Sequence, residues 1–167
     1  MYIKNYWGNY IGGTDDSLTL LDYLLDKQKN ILTLDEIFQD IGLKNLKGNF
    51  CTSSKLYYTD TKGITYDFYY AIDLIGDLAL LMLESAHKGT IALGELMDNQ
   101  TKDTLCLTFT EAERLMMIEA LAHFVKTPSA YDIHEVVSAE ELQEMVKVYE
   151  SVRQALSQRS APDDTAK

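Results

Sequence analysis

Apolar residues recur at helical spacing in four stretches of the chain. In the first stretch Leu18, Leu21, Leu24 and Leu25 share one helical face, with Asp and Ser residues just before them suited to capping a helix start. Two later stretches open with the capping-box patterns Thr110-Glu-Ala-Glu and Ser138-Ala-Glu-Glu. The pattern therefore predicts helices over residues 16–29, 71–87, 111–126 and 139–156.

The stretch 71–87 differs from the others because it is apolar around most of its circumference. A helix of this kind is normally buried at the centre of a fold. Its polar exceptions, Asp73, Asp77 and Glu84, are spaced four and seven residues apart and so fall on one stripe. We expect this helix to be the core of the protein.

Short strand-like segments separate the helices. The clearest pair, 56–59 and 64–69, flanks the turn sequence Asp60-Thr-Lys-Gly and predicts a hairpin whose Phe68 face is buried. Further strands are expected at 90–93 and 104–109, an extended segment at 2–11, a short helix from the Thr33 capping box to Gly42, and a loop at 43–54. The class is α+β: one domain over residues 1–156, several helices packed with a small, mainly antiparallel sheet, and a disordered tail at 157–167.

The charge of the chain is strongly negative. It has 26 acidic and 15 basic residues, a formal net charge of −11. Nucleic acids and anionic membranes require clustered basic residues, which the sequence lacks, so neither is expected as a partner. A basic protein would be attracted to such a surface.

Cysteine usage and the N-terminal sequence bear on the compartment. Cys51 and Cys106 are far apart and are interpreted as free thiols, one or both buried. The aromatic, polar start MYIKNYWGNY has no apolar core of a signal peptide, and no apolar run approaches the length of a membrane span. The expectation is a cytoplasmic protein.

No catalytic motif is recognisable. His87, His123 and His134 lack the spacing of a metal site, and no cofactor or metal is expected. The carboxylate pair Asp73 and Asp77 leaves open a small metal-dependent hydrolase, or simply two carboxylates that accept hydrogen bonds. The favoured prediction is that the chain is not an enzyme.

Aromatic residues cluster at the N-terminus and in the predicted hairpin. Tyr6, Trp7 and Tyr10 lie in the first cluster, and Tyr57, Tyr58 and Tyr66 to Tyr70 in the second. Cross-strand packing accounts for many such rings. Tyr and Trp are also enriched where proteins bind one another, so an interface is the alternative.

Three segments resemble a known family. These are YWGNYIGGTDDSLTLLDYL (Tyr6 to Leu24), YYAIDLIGDLALLMLE (Tyr69 to Glu84) and FVKTPSAYDIHEVVSAEELQEM (Phe124 to Met145). Together they resemble the immunity proteins of bacterial polymorphic-toxin and contact-dependent inhibition systems, specifically the immunity protein 68 family. The resemblance implies a cytoplasmic inhibitor that binds a cognate toxin domain and blocks its active site.

The leading hypothesis is therefore an immunity protein that neutralises a basic toxin, with a nuclease as the expected kind of toxin. Its predicted contact residues are the possible anchors Tyr6, Trp7 and Tyr10 and the acids Asp15, Asp16, Asp60, Asp67, Glu95 and Asp98, which fall in or beside predicted loops. Helix capping explains Asp15 and Asp16 equally well. A generic adaptor is the remaining alternative, and the free protein is expected to be a monomer or a homodimer.

Overall fold

The computed structural model describes residues 2–53 and 55–159. Its α-helices are α1 (Tyr2–Tyr6), α2 (Asp15–Asp26), α3 (Leu34–Ile41), α4 (Ala71–Lys88), α5 (Leu93–Met97), α6 (Glu111–Lys126) and α7 (Ala139–Ser157). Its strands are β1 (Trp7–Asn9), β2 (Ile11–Gly12), β3 (Ile31–Thr33), β4 (Tyr57–Thr59), β5 (Thr65–Asp67), β6 (Ile91–Ala92) and β7 (Thr104–Thr108). The predicted α+β class is confirmed.

Helix α4 is the core of the fold, as its apolar circumference predicts. Residues 71–85 are all buried, and the helix contacts α1, α2, α6, α7, β2, β6 and β7. Tyr149 of α7 packs against Gly76, where a Cβ would overlap the phenol ring, and its hydroxyl donates a hydrogen bond of 2.9 Å to the Ile72 carbonyl. Glycine at position 76 therefore allows α7 to approach α4 closely.

The polar stripe on α4 holds other segments in place. The carboxylate of Glu84 accepts hydrogen bonds from the backbone amides of Tyr2 and Ile3 at 2.9 and 3.1 Å, which fixes α1. Ser85 Oγ accepts a hydrogen bond of 2.9 Å from the Leu107 amide and so ties α4 to β7. Buried polar groups on a central helix are tolerated because they find such partners.

Helix starts follow the sequence closely. Thr110 and Ser138 form the predicted capping boxes with Glu113 and Glu141. Thr33 caps α3 by accepting a hydrogen bond of 3.0 Å from the amide of residue 36. These local signals need only a few neighbouring residues, which is why the sequence reveals them.

The strand pairing corrects one part of the prediction. The hairpin of β4 and β5 is antiparallel, and Phe68 just after it is buried as expected. The three-stranded sheet has the order β3-β7-β6 and is mixed, since β7 runs parallel to β3 and antiparallel to β6. Strands β1 and β2 also pair in parallel, so the prediction that the strands pair mainly antiparallel is wrong.

Four local predictions also differ from the structure. The N-terminal segment begins with α1 instead of an extended strand, because its amides find the Glu84 carboxylate. Residues 43–46 form a 3-10 turn within the predicted loop, and residues 93–97 form α5 where a loop was expected. Helix α2 ends at Asp26, three residues earlier than predicted.

Helix α7 runs to Ser157, and the tail residues 160–167, for which disorder was predicted, lie outside the described residues. Both cysteines are free, as predicted, and are half-buried. None of the helices in the described ranges is long and apolar enough to cross a membrane.

Candidate partner-binding surface

Three carboxylates meet where the starts of α2 and α4 approach each other. Asp77 is completely buried, and its two oxygens accept hydrogen bonds from the Gly12 amide at 2.8 Å and the Ser17 hydroxyl at 2.6 Å. Asp16 is 2% exposed and accepts hydrogen bonds from the amides of Tyr69 and Tyr70 at 2.8 and 2.9 Å. Both side chains therefore hold α2, β2 and α4 together.

The position of Asp16 fits neither of its two sequence interpretations, helix capping or contact with a partner. Both of its oxygens are used inside the protein, and they bind the chain just before α4 and not the amides of α2 itself. Thr14 is the residue that caps α2, through a capping box with Ser17. Asp16 thus has a structural role, and only its exposed neighbour Asp15 has a carboxylate free to meet a partner.

Asp73 is the least satisfied of the three carboxylates. It is 3% exposed, and its buried Oδ1 has no hydrogen-bond donor in the described part of the chain. Burial, followed by the negative charge of Asp77, raises the pKa of Asp73 to about 8. Burial raises the pKa of Asp77 to about 7 despite its two donors.

The burial and hydrogen bonds of Asp73 and Asp77 bear on the alternative that the chain is a metal-dependent hydrolase. A metal ion on Asp77 would have to displace the Gly12 amide and the Ser17 hydroxyl. Within residues 2–53 and 55–159 there is no group of three or more His, Cys, Asp or Glu side chains that could hold a metal ion. The histidines contact other side chains or backbone; His123 Nδ1, for example, lies 2.6 Å from the Tyr131 hydroxyl.

An acidic stripe runs along the exposed side of α2. Asp15, Leu18, Asp22 and Asp26 follow one another at intervals of three or four residues, which places them on one face of the helix. Leu18 is 64% exposed. The stripe is acidic with an apolar residue in its middle.

The hairpin and the chain after it lie beside this stripe. At one end a cleft is lined by Asp22 and Asp26 together with Asp60, Ile64 and Tyr66. At the other end Asp15 shares a second cleft with Tyr69, which is 62% exposed. We define the α2–hairpin face by these residues: Asp15, Leu18, Asp22, Asp26, Asp60, Ile64, Tyr66 and Tyr69.

The carboxylates of the α2–hairpin face act on two tyrosines of the hairpin, in addition to the effect of burial. Burial, and then the nearby Asp22 carboxylate, raise the pKa of Tyr58 to about 12. Burial and Asp60 also raise the pKa of Tyr66. Within residues 2–53 and 55–159, Lys62 is the only basic residue that lines either cleft.

The predicted acids of the hairpin belong to this surface or lie next to it. Asp60 accepts hydrogen bonds of 2.9 Å from the amides of Lys62 and Ile64, so it shapes the hairpin turn as well as lining the cleft. Asp67 is exposed and pairs with Tyr57 across the hairpin.

The other predicted site residues lie around the N-terminal segment and α5. The Trp7 ring rests on Gly12, and its Nε1 donates a hydrogen bond of 3.1 Å to the Leu96 carbonyl. Tyr6 and Tyr10 are half-buried against the core. The structure therefore packs these three rings against the core, where they stabilise the fold.

Glu95 and Asp98 are near this aromatic group, since α5 carries both of them. Each is exposed, Glu95 on the helix and Asp98 at its left-handed C-cap. Of the predicted site residues, Asp15 and Asp60 thus lie on the α2–hairpin face and Asp67 next to it, Asp16 is buried, and Tyr6, Trp7, Tyr10, Glu95 and Asp98 lie around the N-terminal segment and α5.

Sequence reasoning missed Asp22 and Asp26. They follow Asp15 by seven and eleven residues, so the helical period of the predicted helix 16–29 placed them on the same face as Asp15. The predicted contact acids were chosen from loops, so these two helical residues were not among them. The signal that could have found them is the polar face of the helix.

Comparison with known families decides the identity. The Immunity protein 68 family matches residues 2–156 of this chain. The chain belongs to the immunity protein 68 family. The resemblance of its three segments is thereby confirmed.

The surface and the buried carboxylates described above all lie within the part of the chain that matches the immunity protein 68 family. The matched residues include the α2–hairpin face, the three buried carboxylates and the Trp7 group. Comparison with curated proteins and with solved structures gave no match. The family supports an immunity function and implies a cognate toxin as the partner.

Proposed function

We propose that this immunity protein neutralises its cognate toxin by covering the toxin's active site with the α2–hairpin face. The family match over residues 2–156 is the observation that carries the proposal. We further propose that the protein works in the cytoplasm, as a non-catalytic inhibitor, on a toxin that is a basic nuclease.

The composition of the α2–hairpin face supports a basic partner. Asp15, Asp22, Asp26 and Asp60 give it a row of carboxylates. Asp15 and Asp22 are exposed, whereas Asp26 and Asp60 are half-buried and also accept hydrogen bonds within the protein. Exposed carboxylates pair with the lysines and arginines with which a nuclease binds phosphates. The long-range attraction accelerates the encounter of the two proteins.

Exposed apolar groups within the face provide anchors. Leu18, Ile64 and Tyr69 are between 51% and 64% exposed, although each is large and apolar. Tyrosine is enriched among residues that dominate binding energy, and exposed apolar groups rimmed by polar ones mark interaction sites. The rings of Tyr6, Trp7 and Tyr10 are only partly exposed, so they are weaker candidates for anchors.

The test is co-expression with the toxin domain encoded next to this protein. The toxin should kill cells alone and be harmless with the unmutated chain, and the two proteins should co-purify. Failure of the unmutated chain to bind or protect would overturn the proposed function.

Charge reversal locates the surface. Asp15→Lys combined with Asp22→Lys should slow association at least tenfold and weaken its dependence on salt. Glu119→Lys combined with Glu144→Lys changes the net charge equally at exposed positions of α6 and α7 and is the control. Equal association rates for both double variants would remove the α2–hairpin face from the proposal.

A further inference from the structure

The cleft at the Asp15 end of the α2–hairpin face has an apolar wall and an acidic floor. Its volume is about 390 Å³. Tyr70, Ile133, Val136 and Val137 form the apolar part, and Asp73 lines the cleft together with Asp15 and Asp16. Val136 is 62% exposed, so the wall is open to a partner.

Asp73 differs from its two neighbours in lacking donors. Asp16 and Asp77 each accept two hydrogen bonds at 2.9 Å or less, whereas Asp73 Oδ1 has no partner in the described ranges. A buried carboxylate oxygen without a donor is unfavourable, and native proteins satisfy almost all such groups. A donor brought by a binding partner would satisfy this oxygen.

The charges around Asp73 specify that donor. The groups that act on it electrostatically are Asp77 on its own helix, Asp16 on α2 and Asp132 on the segment before α7, and all are acidic. The Tyr149 hydroxyl of α7 already donates to the Ile72 carbonyl. Among the described residues no lysine or arginine lines the cleft, so a cation from a partner would complement its charge.

We propose that this cleft receives one lysine or arginine side chain of the toxin. The alkyl stem lies against Val136 and Val137, and the charged end donates to Asp73. Long basic side chains often bury their stem in this way while the charge finds a polar partner. The inference rests on the proposed function and adds to it the site that takes an anchor residue.

A consequence is that binding releases a proton. The pKa of the Asp73 carboxyl is raised by burial to about 8, so the group is largely protonated at neutral pH before a cation arrives. The cation favours the charged form. Binding should therefore strengthen as the pH rises from 6 to 8, by roughly tenfold or more.

The first test uses the free protein and small cations. Ethylguanidinium and n-butylammonium replace the arginine and lysine side chains, and ethylurea and 1-butanol are the uncharged counterparts, all at constant ionic strength. In amide NMR spectra the cations should shift the signals of Tyr69, Tyr70 and Asp73 in a saturable way. Asp73→Asn should weaken this binding at least tenfold, while Glu119→Gln, which removes an exposed carboxylate, should not.

Three results of this binding experiment would overturn the proposal. Equal binding of cations and uncharged analogues, equal binding to Asp73→Asn, or shifts that never saturate would each do so. In the complex, Asp73→Asn should weaken toxin binding about 30-fold or more, as loss of one partner of a buried charge pair does. Toxin binding unchanged by Asp73→Asn would overturn the pocket alone, whereas failure of the unmutated chain to bind the toxin would overturn the proposed function.

Discussion

Replacing Asp73 by asparagine should make the free protein more stable at pH 8 and change its stability little at pH 4. Asp73 is 3% exposed, and burial is the main reason that its pKa is raised to about 8. Asparagine has nearly the same shape but does not ionise. The substitution therefore removes the cost of a buried negative charge without opening a cavity.

The sign follows from proton binding. Between the ordinary pKa of an aspartate, about 4, and the folded-state value, the folded protein holds a proton on Asp73 that the unfolded chain has lost. The free energy of unfolding consequently falls as the pH rises through this window. At about 1.4 kcal/mol for each unit of pKa, the loss reaches on the order of 4 kcal/mol at pH 7 and levels off above pH 8.

Urea unfolding at several pH values measures this effect. Trp7 is the single tryptophan of the chain, so its fluorescence reports on unfolding without interference from others. The free energies of unfolding of the unmutated protein and of Asp73→Asn should diverge steadily from pH 5 to pH 8. The difference between the two proteins reports the titration of Asp73 together with its coupling to Asp77, because titrating groups that do not interact with Asp73 are common to both and cancel.

The control variant is Glu119→Gln, which removes one exposed carboxylate from α6. It corrects for the change in net charge. A constant difference between Asp73→Asn and the unmutated protein across this pH range would refute the reasoning, since Asp73 would then have the same pKa in the folded and unfolded states.

Three further predictions concern packing and hydrogen bonding. Gly76→Ala should destabilise the protein by roughly 1–3 kcal/mol because the new methyl overlaps the Tyr149 ring; a thermal midpoint equal to that of the parent would contradict this. Asp16→Asn should cost about 1–3 kcal/mol in urea unfolding, since an amide cannot accept from both backbone N–H groups before α4. Gly12→Ala should displace the Trp7 ring and shift its fluorescence to longer wavelength, because the residue has a φ of 78° and its Cβ would overlap the indole; an unchanged emission spectrum would show that the ring has other room.

Much of the fold was predictable because its signals are local. The capping residues Thr110 and Ser138, the hairpin around Asp60-Thr-Lys-Gly, and the all-round apolar helix α4 each depend on neighbours within a few positions. The short helix α1 was missed because it depends on Glu84, more than eighty residues away. The parallel pairing of β3 with β7 likewise joins segments that only the complete fold brings together.

The residues of the candidate site divide in the same way, between those that local spacing predicts and those whose surroundings depend on the complete fold. The sequence located Asp15 and Asp60 and could have located Asp22 and Asp26 from the helical period. It could not show that Asp16 is enclosed by the chain before α4, since that fact depends on how α2 packs against α4.

By itself, the sequence determined the negative charge, the helices, the central position of α4 and the likeness to an immunity-protein family. These properties are fixed by composition and by spacing along the chain. Only the tertiary structure decided which carboxylates are consumed inside the protein and which face outward. Asp16, Asp73 and Asp77 are chemically identical, and the number of donors that distant segments bring to each one makes the difference.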